Sequence, residues 1–135
     1  MKYVERCLWD YKANIAMLET LKLKAVELRS VHGRDYEAHS VNGISDPVAE
    51  VAARKIVIEE KIQRTGERVK PVRQLHEDLT KCTDERNALV WILRLKYFEH
   101  LSADDVKREL RVSGSTLYRR TMELLRIAGH YIRGK

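Results

Sequence analysis

The chain has 135 residues, of which 34 % are charged and 7 % aromatic, with only two prolines and six glycines. This mixture favours helices over a β-sandwich and fits one compact domain, or a small domain joined to an extended helical piece. The net charge is +6, and residues 100 to 135 carry eight Lys and Arg against four Asp and Glu, so most of the excess lies at this end and favours a polyanionic partner.

The first predicted element is a long amphipathic helix over residues 2–31. Its apolar positions alternate steps of four and three, which is a heptad seam with one lysine in it. The seam consists of Val4, Leu8, Tyr11, Ile15, Leu18, Lys22 and Ala25. Residues 32–46 lose this periodicity and contain two glycines, one asparagine and two serines, which predicts a long loop or a partly disordered link.

A second long helix is predicted to begin at Asp46 and Pro47, as a capping residue followed by a first-turn proline. The heptad resumes through Val48, Val51, Lys55, Ile58, Ile62, Thr65, Val69, Val72, His76 and Leu79. Gly66 and Pro71 predict a kink or interruption between them, because proline deletes a backbone hydrogen bond. Two arrangements remain open: an antiparallel hairpin with the first helix, or a dimerising coiled coil. His76 on this seam is expected to be a packed polar residue.

Thr83 and Asp84 are predicted to cap a third helix ending near His100. Its core face would hold Leu89, Ile92, Leu93 and Tyr97, broadened by Val90, Trp91 and Phe98. A face this apolar can supply a core for the short helices that follow. We therefore expect an all-α chain with an N-terminal helical hairpin or coiled coil at 1–82, and a C-terminal helical domain at 83–135 that folds alone.

Residues 101–120, LSADDVKRELRVSGSTLYRR, have the pattern of a helix-turn-helix. Ser102 can cap the first helix, in which Val106 and Leu110 share a buried face. Ser113 can cap the second helix, whose inner face is predicted to hold Leu117, Thr121, Leu124 and Ala128. Hydroxyls and arginines at the start of such a helix suit a major groove, so residues 83–135 are predicted to be a helix-turn-helix DNA-binding domain, which alone would bind DNA weakly. The alternative is a plain helical hairpin with a basic outer face.

The side chains expected to face DNA are Ser102, Lys107, Arg111, Ser113, Ser115, Thr116, Tyr118, Arg119 and Arg120. Two of them depart from the usual pattern of this motif. Close helix packing favours a small residue at Lys107, and the turn favours glycine at Arg111, where a left-handed backbone costs another residue roughly 1 kcal/mol. Lys107 is expected to extend outward past Leu117.

Residues 85–125 resemble region 4 of bacterial sigma factors, whose phrases "L-R-Y-F-x-x-L-S" and "V-S-x-S-T-V-Y-R" are matched at 93–102 and 112–119. The upstream layout is similar to sigma-like phage regulators of the ArpU and RinA type. Their "sDpVa…v.kI..le..I" helix corresponds to 45–49, 55–56 and 59–62. The resemblance implies a phage or prophage transcriptional activator that binds double-stranded DNA in the cytoplasm of a bacterial host, with RNA polymerase as a candidate partner.

Catalysis, metal binding and membrane insertion find little support in the sequence. The five histidines form no HExxH or triad-like order, and neighbouring acids such as Glu59 and Glu60 point apart on a helix. Cys7 and Cys82 lack ligand spacing and are expected to be reduced core residues. No apolar run approaches a membrane span, and no signal peptide opens the chain. We expect no enzyme, metal or cofactor.

Two binding roles remain open. One is a transcriptional regulator whose first two helices form a homodimer or contact polymerase. The other is the small subunit of a phage DNA-packaging terminase, which also joins a helix-turn-helix to coiled-coil helices. A ring-forming subunit would assemble as a higher oligomer, whereas a regulator would be a monomer or dimer.

Overall fold

The chain is all-α, as predicted. A computed structural model describes the backbone of residues 2–34 and 47–134, and the side chains of 2–28 and 49–134. Within this described part there is no strand. The helices are α1 (Lys2–Trp9), α2 (Tyr11–Arg34), α3 (Pro47–Lys81), α4 (Asn87–Ile92), a π-helix (Leu93–Phe98), α5 (Ala103–Leu110) and α6 (Gly114–Arg133). None of these helices combines the length and apolar character needed to cross a bilayer.

The predicted first helix forms, with a turn at Asp10 that separates α1 from α2. The N–H groups of Asp10 and Asn14 still bond to carbonyls four residues earlier, at 2.9 and 2.8 Å, so the axis is only locally disturbed. α2 continues to Arg34, three residues beyond the predicted end. The remainder of the predicted loop, residues 35–46, lies outside the described residues, as does the capping role predicted for Asp46.

Of the kink or interruption predicted near residues 66–71, the interruption is wrong, because α3 runs without a break from Pro47 to Lys81. Pro71 removes one backbone donor from this helix. Its neighbours Val69 and Val72 are buried, as is Leu75 one turn further on. Tertiary packing of such an apolar face contributes more to helix stability than local propensity, which explains why the helix continues.

The described contacts divide the chain into two compact units. One consists of Met1–Asn14 with Glu67–Lys135, and the other of Ile15–Gly66. The division therefore falls elsewhere than the predicted boundary between residues 82 and 83. The part of α3 up to Gly66 belongs to the Ile15–Gly66 unit, and the part from Glu67 onward belongs to the other unit.

The larger unit has a core drawn from both ends of the sequence. α1 packs against the π-helix and α6, while α4 also contacts α6. The buried side chains are Val4, Cys7, Leu8 and Tyr11 from the N-terminal segment, Val69, Val72, Leu75 and Leu79 from α3, and Leu89, Val90, Ile92, Leu93, Tyr97, Val106, Leu117, Thr121, Leu124, Leu125 and Ala128 from the rest. The fourteen N-terminal residues therefore belong to the same core as the C-terminal helices.

The smaller unit, Ile15–Gly66, has a thin interior. Leu21 and Thr65 are buried, and the Thr65 hydroxyl lies 4.0 Å from the Met17 sulfur. Most other seam positions that the structure describes here are half-buried, and Lys22 and Lys55 are exposed. A seam of this kind buries less apolar surface than the core of the larger unit.

The third helix begins later than predicted and changes geometry midway. The N–H groups of Asn87, Ala88 and Leu89 bond to carbonyls three residues earlier, so residues 84–86 form a tight turn and α4 starts at Asn87. Asp84 does accept a hydrogen bond from the Arg86 N–H, at 3.0 Å. After Ile92 the helix widens, and the Glu99 N–H bonds to the Arg94 carbonyl five residues back, at 2.8 Å. This π-helix was not predicted.

Candidate nucleic-acid interface

α5 starts as the sequence predicts. The Ser102 backbone is extended (φ −66°, ψ 159°), and its hydroxyl accepts a hydrogen bond from the Asp105 N–H at 3.2 Å. Asp104 and Asp105 occupy the first turn, where carboxylates suit the positive end of the helix dipole. Val106 is fully buried, and Leu110 on the same face is half-buried. This face fixes α5 on the core.

The connection between α5 and α6 is three residues long, 111–113, and its first residue is strained. Arg111 adopts the left-handed conformation predicted for it, with φ 54° and ψ 47°. The N–H groups of Arg111 and Val112 both bond to the Lys107 carbonyl, which closes the helix end. Such a backbone normally belongs to glycine and costs another residue about 1 kcal/mol. The Arg111 side chain is exposed at the turn.

α6 begins in a cluster of three hydroxyls. Ser113 caps the helix, as predicted, by accepting from the Thr116 N–H at 3.2 Å. Its hydroxyl also donates to the Thr116 hydroxyl at 2.9 Å and lies 3.2 Å from that of Ser115. Hydroxyl groups both donate and accept, so this cluster can bond to base edges or phosphate oxygens.

The two faces of α6 have opposite characters. Its inner face carries the four predicted core residues, Leu117, Thr121, Leu124 and Ala128, together with Leu125, and all five are buried. On the outer side Ser115 and Arg119 are exposed, Tyr118 is 69 % exposed, and Arg120 is half-buried. The prediction that Leu117 and Tyr97 lie in the core is confirmed. The core therefore holds α6 from one side and leaves the hydroxyls and arginines of its first two turns accessible.

The charges around the two helices are partly paired. Lys107 lies 3.0 Å from Asp104, and Arg108 lies 2.9 Å from Asp105. The Lys107 partner holds the pKa of the Asp104 carboxyl below its usual value. Within the described part of the chain, the guanidinium groups of Arg111, Arg119 and Arg120 have no carboxylate within 4.0 Å. These three guanidinium groups are therefore able to bond to an anion such as phosphate, or to the acceptor atoms of guanine.

The structure distributes the predicted DNA-facing residues among several roles. Ser102 and Ser113 use their hydroxyls as helix caps, and Lys107 is half-buried beside Gly114 with its ammonium paired to Asp104. Ser115, Tyr118 and Arg119 are exposed on α6, Thr116 and Arg120 are half-buried there, and Arg111 is exposed at the turn. All nine lie on α5, α6 or the residues that cap and join them.

α1 and the π-helix support this arrangement through contacts that the sequence pattern does not signal. His100 has a left-handed backbone (φ 59°) and stacks on Trp9, with ring centroids 3.7 Å apart. Its Nε2 lies 2.8 Å from the Trp9 carbonyl, which can only accept, so Nε2 donates. This pair joins the end of α1 to the segment that leads into α5, so it helps to set where α5 begins.

A second group of contacts joins α3 to the π-helix. The Arg94 Nε donates to His76 Nε2 at 2.9 Å, and the Phe98 ring meets His76 edge-on and stacks on Tyr11. Burial, followed by the positive charges of Arg94 and Lys12, lowers the pKa of His76 and so favours the neutral imidazole that accepts this bond. His76 is thus a packed polar residue, as predicted.

Further along, the Tyr131 hydroxyl of α6 donates to Asp78 of α3 at 2.5 Å. This bond raises the pKa of Tyr131 to about 12 and lowers that of Asp78. Cys82 donates its thiol to the Asp78 carbonyl, and both Cys82 and Cys7 are free thiols. The C-terminal end of α6 is therefore bonded to α3, the helix that the π-helix also contacts.

No protein-family model, curated protein or solved structure matches the chain at a significant level.

Proposed function

We propose that the chain is a sequence-specific DNA-binding transcriptional regulator of phage or prophage origin, sigma-like in its DNA-binding part and an activator of phage genes. α5 and α6 would act as a helix-turn-helix, with the first two turns of α6 entering the major groove. Double-stranded DNA is the proposed partner, and RNA polymerase is the proposed target of activation.

The observation that carries this proposal is the outer side of α6. Three hydroxyls at its start and the unpaired arginines at 119 and 120 are presented by a helix whose other side is buried. Arginine can fork onto the O6 and N7 of guanine, and serine or threonine can bond to either base edges or phosphates. A helix fixed from behind presents these groups with little freedom to lose on binding, which favours specific recognition.

The paired and unpaired cations suggest a division of work. Lys107 and Arg108 are paired with Asp104 and Asp105, and Glu109 leaves α5 itself without positive charge. Arg111 at the turn is therefore the cation beside α5 that has no ion-pair partner among the described residues. An exposed guanidinium beside the start of α6 suits a phosphate flanking the bases that α6 would read. We therefore assign base contacts to Ser115, Thr116 and Arg119, and phosphate contacts to Arg111 and Arg120.

Selection of bound fragments from host and phage DNA, followed by titration of the recovered site at two salt concentrations, tests the proposal. Arg119→Ala should weaken specific binding about 5- to 150-fold, equivalent to about 1–3 kcal/mol, without loss of helical signal. Arg73→Ala is the matched control, because it removes the same charge from an exposed position of α3 in the same unit. Unchanged affinity in both Arg119→Ala and Arg120→Ala would exclude α6 from the groove.

We further propose that the Ile15–Gly66 unit pairs with a second copy of the chain. Besides its half-buried seam it exposes Leu23, Val26, Ile56 and Val57, of which Leu23 is 66 % exposed. Several large apolar residues exposed on two helices commonly mark an interaction surface. A dimer would protect two half-sites about one helical turn, or a multiple of it, apart.

Light scattering on the purified chain tests this arrangement. We expect a dimer, and we expect Leu23→Glu to give a helical monomer that binds the same site more weakly. A monomeric wild type would refute pairing and leave polymerase as the partner of this unit. A ring-sized oligomer would instead favour the packaging-motor alternative.

A further inference from the structure

A cavity of about 290 Å³ lies behind the first half of α6, within the larger unit. Its walls come from α1, the π-helix, α5 and α6. This volume suits a molecule of the size of an amino acid. It lies at the small end of the range of ligand sites in proteins.

The cavity contains a buried hydroxyl without a partner. Thr121 is 5 % exposed and lines the cavity, and its Oγ1 makes no hydrogen bond within the described part of the chain. Buried polar groups are nearly always hydrogen-bonded, so a ligand group that can donate or accept would satisfy this oxygen. Next along the π-helix from Lys96, Tyr97 is buried outside the cavity lining. Burial, followed by the negative charge of Glu5 and a hydrogen bond to it, raises the pKa of Tyr97, and the Lys96 ammonium lies 5.4 Å from the centre of the Tyr97 ring.

Two opposite charges line the same cavity without being paired to each other. Glu5 comes from α1 and Lys96 from the π-helix, and neither has an ion-pair partner within 4.0 Å among the described residues. The third charged group, Lys107, is already neutralised by Asp104. Leu117 and Leu125 supply apolar wall. A carboxylate and an ammonium that lack ion-pair partners among the described residues, together with one hydroxyl and an apolar wall, complement a zwitterion that carries an apolar side group.

We infer that the cavity binds a zwitterionic ligand of amino-acid size with an apolar side group, its ammonium toward Glu5, its carboxylate toward Lys96, and Thr121 satisfied by either group. The ligand would thus join α1 and the π-helix to α6. Because Lys107 and Leu117 of the proposed DNA-binding helices share its walls, bound ligand changes the affinity for DNA; this second step rests on the proposed function.

Calorimetric titration of the full chain with each of the twenty L-amino acids tests the site. At least one apolar amino acid should bind and raise the melting temperature. The amino acid that binds is then compared with two analogues, one that lacks its ammonium and one that lacks its carboxylate. For L-phenylalanine these are 3-phenylpropanoate and 2-phenylethylamine. Each should bind at least tenfold more weakly than the parent amino acid.

Thr121→Val gives the sharpest comparison, because it keeps the shape and removes the hydroxyl. It should raise the melting temperature of the free protein, since an unsatisfied buried group is lost, and yet weaken ligand binding about fivefold or more. Thr80→Val is the control, an exposed threonine of the same unit whose hydroxyl donates to the His76 carbonyl. Glu5→Gln and Lys96→Gln should each weaken binding at least tenfold.

Failure of all twenty amino acids to bind at millimolar concentration would overturn the inference, as would binding that all three cavity variants leave unchanged. Anisotropy titration of the selected DNA site, with and without ligand, tests the coupling separately. Ligand that binds without changing DNA affinity would overturn the coupling and keep the site. Ligand binding by a chain that binds no DNA would overturn the proposed function and keep the site.

Discussion

Leu8→Ala tests whether α1 belongs to the core of the larger unit. Leu8 is 0 % exposed, and Val4 and Cys7 beside it are also buried. The substitution removes three carbon groups, which at about 0.8 kcal/mol each gives roughly 2.4 kcal/mol of lost transfer free energy. The cavity left in a packed core adds to this, so we expect a loss of about 2.7–5 kcal/mol. A small domain has a free energy of unfolding of about 5–15 kcal/mol, so the loss is large.

Urea unfolding of the full chain, followed by circular dichroism, measures this change. Leu23→Ala makes the same substitution at a position that is 66 % exposed in α2. Measured at a chain concentration at which the wild type is monomeric, so that pairing does not contribute, it should stay within about 0.5 kcal/mol of the wild type. In place of the expectation from the sequence that residues 83–135 fold alone, we now expect this fragment not to fold, because it lacks Leu8 and the buried face of α3. Equal midpoints for the two leucine variants, together with a folded 83–135 fragment, would refute this reasoning and restore the boundary between residues 82 and 83.

Three further outcomes are expected. Leu117→Ala should cost about 2 kcal/mol, at the low end for a buried leucine because Leu117 borders an existing cavity, and an unchanged melting temperature would show that the register of α6 is wrong. Arg111→Gly should relieve the left-handed backbone and raise stability by up to about 1 kcal/mol while lowering the salt dependence of DNA binding by about one phosphate contact. The pKa of His76 is lowered in the folded chain. The stability that the neutral imidazole contributes is therefore complete above the unfolded-state pKa of 6.5 and is lost as the pH falls below it. Relative to His76→Gln, which can still accept from Arg94, the wild type should lose stability between pH 7 and pH 5, and parallel pH profiles would contradict this.

Local patterns decided much of the candidate interface. The caps at Ser102 and Ser113, the left-handed Arg111 and the inner face of α6 depend on hydrogen bonds and side-chain periodicity within a few residues, which the sequence displays directly. The all-α class follows from the same periodicities. The predicted helix start at Thr83 and Asp84 is wrong, because a tight turn at residues 84–86 takes the place of the first helical turn.

Only the tertiary structure decided which distant segments share a core. Trp9 and His100 are 91 residues apart in the chain, and no periodicity indicates that their rings stack or that Glu5 and Lys96 face one cavity. The uninterrupted α3 has the same origin, because burial of Val72 and Leu75 outweighs the hydrogen bond that Pro71 removes. Thr121 fits the helical pattern of buried positions, but whether its hydroxyl finds a partner depends on the elements packed around it. Side-chain periodicity records which face of a helix is buried, whereas the path of the chain determines what that face meets.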